Sequence, residues 1–148
     1  MALMHSTMVP LGTPAASFRL LGVDSKTYSL ESFSDKNVLV IIFMCNHCPY
    51  VKAVLQRLID LQAETEHQGV QLVGINSNDV ECYPDDSMEN MQKITKEKGI
   101  NFPYLLDVSQ ETAKAYDAVS PLIFMFMARS ASFCTEVELM TTGSMKKK

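Results

Sequence analysis

The feature that most constrains the fold is an apolar run, Val38 to Met44, that leads directly into Cys45-Asn46-His47-Cys48. A continuous run rich in β-branched side chains is typical of a strand buried on both faces of a parallel sheet. Pro49 follows at once, and proline suits the first turn of a helix because the N–H that it lacks has no partner there. The sequence therefore predicts two cysteines at a junction between a buried strand and a helix.

The remaining pattern alternates strands with helices. We predict an edge hairpin (17–24 with 27–30), the first buried strand (38–44), a helix that runs from Pro49 until Gly69 and a second buried strand (70–75). A helix capped by Asp86, with Glu89 completing a capping box, follows and ends at Gly99, and after it come a short strand (104–107), a short helix (111–116) and a last apolar stretch (122–127). This order predicts an α/β fold with a central, mostly parallel sheet flanked by helices.

Length and charge limit the function classes. A chain of 148 residues with 47% hydrophobic content is expected to form one domain, residues 1–148. The net charge of −4 argues against a nucleic-acid partner, since phosphate binding needs clustered Lys and Arg. Residues 1–12 lack the features of a secretory signal, and the longest apolar run is far shorter than a bilayer span, so we expect a cytoplasmic protein with no membrane partner.

The position of the two cysteines indicates their chemistry. A thiolate is the nucleophile in disulfide chemistry, and the N–H groups and dipole at a helix N-terminus stabilise it. In a reducing compartment, four cysteines indicate a catalytic or metal-binding pair more often than structural disulfides. The simplest interpretation from position alone is a redox-active dithiol, with inert buried thiols as the structural alternative.

The segment Phe43-Met44-Cys45-Asn46-His47-Cys48-Pro49-Tyr50-Val51-Lys52 resembles the signature of the thioredoxin-like and peroxiredoxin-like proteins grouped with alkyl hydroperoxide reductase and thiol-specific antioxidant. Segments 10–15, 74–78 and 83–87 also match that pattern, so the resemblance covers most of residues 8–119. It implies a thioredoxin fold and a thiol-dependent oxidoreductase without a bound cofactor. The implied partners are a disulfide or hydroperoxide substrate and a cellular thiol reductant.

The resemblance also assigns roles to the cysteines. Aligned with thioredoxins and peroxiredoxins, Cys48 takes the nucleophilic position, and Cys45 becomes either the resolving thiol or the stand-in for a threonine of peroxiredoxins. The reverse order, with Cys45 attacking first, stays open. His47 could stabilise the thiolate or be a solvated loop residue. Pro49 shapes the helix start, and Pro121 is the candidate for the cis-proline that faces the cysteines in thioredoxin folds.

The tail, residues 120–148, departs from the family pattern, because Ser120-Pro121-Leu122-Ile123 stands where the family has a sequence like Cys-Thr-Pro-Asp-Phe. A one-base shift in the reading frame accounts for the difference, since restoring one base gives Cys-Thr-Pro-Asp-Phe-Tyr-Val-Tyr-Gly. On this hypothesis the tail is out of frame and the family's C-terminal helix is lost. We still expect 122–127 and 133–140 to form a hairpin on the sheet edge.

Two other functions are compatible with the sequence. One is a metal-binding or metal-delivery module that uses the thiolates of Cys45 and Cys48, with His67 as a distal ligand. A zinc site would need two further ligands from His67, Cys82 and Cys134, of which we interpret Cys82 as a bystander. The other alternative is an inactive, truncated product.

Overall fold

The computed structural model describes residues 15–116 and the backbone of 123–128 and 133–138. The elements are β1 Arg19–Gly22, β2 Thr27–Ser29, β3 Val38–Phe43, α1 Pro49–Thr65, β4 Val70–Asn76, α2 Met88–Lys98, β5 Tyr104–Leu106, α3 Glu111–Ala115, β6 Ile123–Ala128 and β7 Phe133–Glu138, with short 3-10 turns at Leu30–Phe33, Glu66–Gln68 and Pro84–Asp86. Within these described ranges, no helix combines the length and apolar character needed to cross a bilayer.

The strands form one sheet in the order β2-β1-β5-β4-β3-β6-β7. The three central strands, β5, β4 and β3, run parallel, whereas β1, β2, β6 and β7 join through antiparallel pairings. The predicted α/β fold is confirmed, but the sheet is mixed and is parallel only at its centre. The difference arises because hairpins at both ends of the chain extend the parallel core with antiparallel strands.

Side chains that alternate along β3 divide the core between two faces of the sheet. Val40, Ile42 and Met44 point to one face, which α1 and α2 cover with buried residues including Leu55 and Met91; we call it the α1 face. The other face carries Leu39, Ile41, Phe43, Val73, Ile75 and Leu105, and it is covered by Phe18, Phe33 and Tyr116; we call it the α3 face. The period of two in a strand produces both cores from one run of sequence.

The long helix α1 begins as the sequence predicts. Cys48 is its N-cap residue and Pro49 occupies the first helical position. The helix ends at Thr65, and a 3-10 turn carries the chain to Gly69, whose positive φ of 80° suits a residue without a Cβ. The strand-to-helix junction around the cysteines is therefore confirmed.

The start of α2 differs from the prediction. Ser87, not Asp86, is the N-cap, and its side chain accepts a hydrogen bond from the Asn90 backbone N–H. Asp86 is fully buried in the preceding 3-10 turn. Capping patterns in sequence cannot distinguish two adjacent candidates, and here the carboxylate has stronger partners elsewhere.

The tail forms the predicted hairpin. Strand β6 pairs antiparallel with β3 along its whole length, from Val38 opposite Ala128 to Phe43 opposite Ile123, and β7 is the edge strand. The tail thus contributes a strand beside the strand that leads to the cysteines. The expected position of Pro121 and the expected loss of the C-terminal helix lie outside the described residues.

Candidate thiol redox site

The two cysteines lie at the carboxyl end of β3, where the chain turns into α1. Both are free thiols, and both are buried, with 2% of Cys45 and 5% of Cys48 exposed. The Lys52 backbone N–H donates to the Cys48 carbonyl at 3.1 Å, which closes the first turn of α1. Cys48 therefore stands where the unpaired N–H groups of a helix N-terminus favour negative charge, while Cys45 lies one step back toward the core.

Cys45 is held as a thiol by its surroundings. Burial raises the pKa of the Cys45 thiol to about 12, and the negative charges of Asp86 and of a Cys48 thiolate act in the same direction. A hydrogen bond from the Cys48 backbone acts in the opposite direction but is the weaker effect. Because the thiolate is the reactive form, Cys45 is the poorer first nucleophile of the two positions.

The Asp86 carboxylate is the centre of a buried polar cluster beside the cysteines. Its Oδ1 accepts from the Asn46 backbone N–H at 2.6 Å and from Asn76 Nδ2 at 3.1 Å. Its Oδ2 accepts from Asn78 Nδ2 at 2.9 Å. A charge with no solvent exposure is tolerated when several donors replace water, and these donors also fix the carboxylate's orientation.

His47 links this cluster to the protein surface. Its Nδ1 lies 2.7 Å from Asp86 Oδ2, and its side chain is 36% exposed. This nitrogen is shielded from solvent and makes no hydrogen bond of acceptable geometry. The nitrogen and the carboxylate oxygen are therefore close together, but no N–H points from one to the other. The imidazole ring stacks on Tyr83 with 5.1 Å between the ring centroids, which positions it over the cluster.

Asn46, between the cysteines, fastens their loop to two neighbouring elements. Its Nδ2 donates to the Asp85 carbonyl at 2.7 Å, and its Oδ1 accepts from the Tyr104 hydroxyl at 2.7 Å. Burial raises the pKa of Tyr104 well above its usual value, so this hydroxyl remains a donor. Gly74 allows the close packing, since a Cβ there would come within 2.9 Å of Met44 Sδ. The cysteine loop is therefore tied to the turn before α2 and to β5.

The structure brings together four of the five residues predicted from sequence, namely Cys45, His47, Cys48 and Pro49, with Pro49 exposed. Sequence reasoning missed the roles of Asp86 and of its amide donors. A signal was present: Asn76 ends a parallel strand next to β3, and the carboxyl ends of parallel strands meet at one edge of the sheet. Because the capping pattern indicated Asp86 as the N-cap of a helix, the sequence did not identify this residue as part of the cysteine site.

Within the described part of the chain, the further metal ligands proposed from sequence, His67 and Cys82, do not join Cys45 and Cys48, and the side chain of Cys134 lies outside that part. His67 lies in the turn after α1, whereas Cys48 lies at the start of that helix. A helix of 17 residues is about 25 Å long, so the two side chains are separated by about that length. Cys82 is exposed, with its Sγ 3.4 Å from Asp79 Oδ2. Among the described residues, the group that does converge is Cys45, His47 and Asp86, whose ligand atoms all lie within 4.8 Å of one another.

The family model described as AhpC/TSA matches residues 11–139. The chain belongs to the AhpC/TSA family. The matched segment includes the cysteine loop, the Asp86 turn and both strands of the C-terminal hairpin.

Two curated relatives carry the name thiol-disulfide oxidoreductase ResA. The protein from Halalkalibacterium halodurans is 24% identical over 75% of this chain, and that from Bacillus subtilis is 27% identical over 90%. The matches span 58% and 68% of the length of those two proteins, respectively. Both names describe redox chemistry at thiols.

Solved structures agree with the fold. An uncharacterized conserved protein from Geobacillus kaustophilus has a TM-score of 0.87 and 40% identity, and the match covers 99% of this chain and 79% of that one. A putative thiol:disulfide interchange protein DsbE from Chlorobium tepidum has a TM-score of 0.75 at 16% identity, covering 86% of this chain and 84% of that one. The latter likeness shows the thioredoxin fold alone.

Proposed function

We propose that this chain is a thiol-disulfide oxidoreductase in which Cys48 attacks the substrate and Cys45 resolves the product. The observation that carries the proposal is the asymmetry between the two thiols. Cys48 is the N-cap residue of α1, whereas Cys45 lies upstream of the helix, where burial and the Asp86 carboxylate raise the pKa of its thiol. The names of the curated relatives support the same class of reaction.

The reaction has two exchange steps. The Cys48 thiolate attacks one sulfur of a substrate disulfide, forming a mixed disulfide and releasing the other sulfur as a thiolate that takes up a proton. Cys45 then loses its proton and attacks Cys48 Sγ, which releases the second substrate thiol and leaves a Cys45–Cys48 disulfide. A cellular thiol reductant returns the two electrons by the same chemistry in reverse. A cytoplasmic setting, where such reductants are abundant, is part of the proposal.

The electrostatics of the cluster suit this order. Before the first step, the negative charge of Asp86 disfavours a second negative charge on Cys45, so the resolving thiol keeps its proton. Once Cys48 is bonded to substrate, it no longer carries charge, and one of the interactions that hold the Cys45 proton disappears. The pair is thereby arranged to react in sequence.

Hydroperoxide reduction is the second candidate, and the family match favours it. In that reaction the Cys48 thiolate attacks the peroxide, releases an alcohol or water, and becomes a sulfenic acid; Cys45 then condenses with it and releases water. Against this candidate, position 45 holds cysteine where the peroxiredoxin pattern has threonine. Disulfide exchange is therefore our first choice.

Peptide mass spectrometry on the reduced protein distinguishes these candidates. One equivalent of a small aromatic disulfide should give a stable mixed disulfide on Cys48 in the Cys45→Ser variant and none on Cys45 in Cys48→Ser. The wild type should end with a Cys45–Cys48 bond, and Cys82→Ser, the matched control, should behave like the wild type. A mixed disulfide trapped on Cys45 in Cys48→Ser, but not on Cys48, would reverse the order of attack.

A parallel sample receives one equivalent of hydrogen peroxide. If both thiols stay reduced under peroxide while they exchange with the disulfide, the peroxidase candidate is wrong and disulfide exchange stands. Sulfenic acid trapped on Cys48 in Cys45→Ser, formed faster than disulfide exchange, would instead favour the peroxidase.

A further inference from the structure

Three potential metal ligands converge beside the proposed nucleophile. Cys45 Sγ, a ring nitrogen of His47 and a carboxylate oxygen of Asp86 all lie within 4.8 Å of one another. Cys45 and His47 sit on the loop after β3, and Asp86 sits on the loop after β4. Since β3 and β4 are adjacent and parallel, the fold itself brings the two loops to one edge.

The close contact between His47 and Asp86 is a second observation that favours a cation at this place. His47 Nδ1 is shielded from solvent and lies 2.7 Å from Asp86 Oδ2 without an aligned hydrogen bond. Two lone pairs that face each other repel, and either a proton or a metal cation between a ring nitrogen and a carboxylate oxygen makes so close an approach favourable. A cation between them would give the ring nitrogen a partner and would add a second partner to Asp86 Oδ2, which already accepts from Asn78 Nδ2.

We propose that the reduced protein binds one zinc-like divalent ion through Cys45 Sγ, His47 Nδ1 and Asp86 Oδ2. Thiolate, imidazole and carboxylate together form a ligand set typical of Zn²⁺. Copper(I) prefers sulfur ligands alone, and Mg²⁺ and Ca²⁺ prefer oxygen, so this mixed set favours zinc over either class.

The spacing needs only a small adjustment to hold the ion. Ligand atoms about 2.0–2.3 Å from a tetrahedral zinc ion lie about 3.3–3.8 Å from one another. The His47 nitrogen and the Asp86 oxygen, now 2.7 Å apart, therefore have to move apart by about 1 Å or less. His47 can make this movement because its side chain is partly exposed.

The residues around Asp86 fix the orientation of its carboxylate, as the hydrogen-bond partners of metal ligands commonly do. Asp86 Oδ1 is held by the Asn46 backbone N–H and by the Asn76 amide, and Oδ2, which accepts from the Asn78 amide, is also directed at His47. Binding replaces the Cys45 proton, which leaves for solvent, and neither the metal nor the protein is oxidised.

The proposed consequence is a link between zinc and redox state, and this link rests on the proposed function. While the ion holds Cys45, the resolving thiolate is occupied and the second exchange step is slowed. When Cys45 does attack the Cys48 mixed disulfide, the Cys45–Cys48 bond forms, the substrate thiolate leaves, and the ion loses a ligand and is released. The oxidised protein should therefore bind zinc much more weakly than the reduced protein.

Cobalt(II) is a suitable probe because its bond to a thiolate gives an absorption band. The full chain, stripped of metal and reduced with a phosphine, should bind one Co²⁺ with a thiolate-to-cobalt charge-transfer band, and Zn²⁺ should displace it. Cys45→Ser should abolish the band. His47→Ala and Asp86→Asn should each weaken binding at least tenfold, while the controls Cys82→Ser and His67→Ala should match the wild type.

Several outcomes would overturn the site. They are the absence of the band in folded, reduced wild type, a band that survives Cys45→Ser but is lost in Cys48→Ser, and binding that His47→Ala leaves unchanged. His47→Ala keeps the test valid if Asp86→Asn fails to fold. Cobalt binding does not depend on turnover, so a protein that binds the ion but exchanges no disulfide would support the site and overturn only the redox function.

Discussion

The two faces of the sheet differ in what their buried groups do. On the α1 face the core runs from Val40 and Ile42 into Met44 and the cysteines, and ends in the Asp86 cluster. On the α3 face the same strand supplies Leu39, Ile41 and Phe43 to a core that is closed by aromatic rings. One face therefore joins packing to chemistry, while the other provides packing alone. Substitutions on the two faces should separate activity from stability.

The largest effect is expected at Cys48. The Cys48→Ser change replaces the nucleophile by a hydroxyl of similar size, so disulfide reduction should fall about 10³-fold or more, equal to about 4 kcal/mol of transition-state stabilisation. The free energy of unfolding should change far less. Turnover of a small disulfide and urea unfolding measure the two quantities. Residual turnover close to that of wild type would mean that Cys45 alone can attack.

The converse test is Ile41 on the α3 face, which is fully buried. Ile41→Ala should lower the free energy of unfolding by about 3–4 kcal/mol, because it removes buried methylene groups and leaves a cavity. Turnover per folded molecule should stay near wild type, since the side chain points away from the cysteines. Ile41→Val is the matched control and should cost about 1 kcal/mol. A large loss of turnover in folded Ile41→Ala would show that the faces are coupled.

Asp86 lies at the end of the α1 face, and its substitution should lower stability and activity together. Asp86→Ala leaves the Asn46 N–H and the Asn76 amide buried without their acceptor, so we expect a loss of about 2–3 kcal/mol in the free energy of unfolding. The change also frees the loop between the cysteines, so turnover should fall together with stability. Urea unfolding and turnover of the same samples check this. A variant that loses turnover at unchanged stability would give Asp86 a purely chemical role.

Much of the fold was predictable, and the reason lies in patterns that are local in sequence. The run before Cys45 predicts a buried strand, and Pro49 marks the helix start within one residue. The antiparallel pairings at the two sides of the sheet were harder to predict, because the sequence of a hairpin does not show which central strand the hairpin pairs with. The pairing of β6 with β3 is of this kind.

The site was only half predictable from the sequence. The spacing of Cys45, His47 and Cys48, and their position before a helix, identify them as candidates from the sequence alone. Asp86 is 40 residues from Asn46, and only the adjacency of β3 and β4 makes them neighbours. A short-range rule, the capping box, offered a competing explanation for the same carboxylate. Local patterns thus predict which loop carries thiols but not which distant polar groups surround them.

The smallest effect tests that competing explanation directly. Ser87 caps α2 through its bond from the Asn90 N–H at 3.2 Å, so Ser87→Ala should lower the free energy of unfolding by about 1 kcal/mol and leave turnover unchanged. Adjacent residues would then have separate roles, with Ser87 acting on the helix and Asp86 on the cysteine loop. Urea unfolding of Ser87→Ala beside Asp86→Ala gives the comparison. Equal losses in both variants, with turnover intact in each, would mean that Asp86 acts mainly through the helix, and the α1 face would lose its link between packing and chemistry.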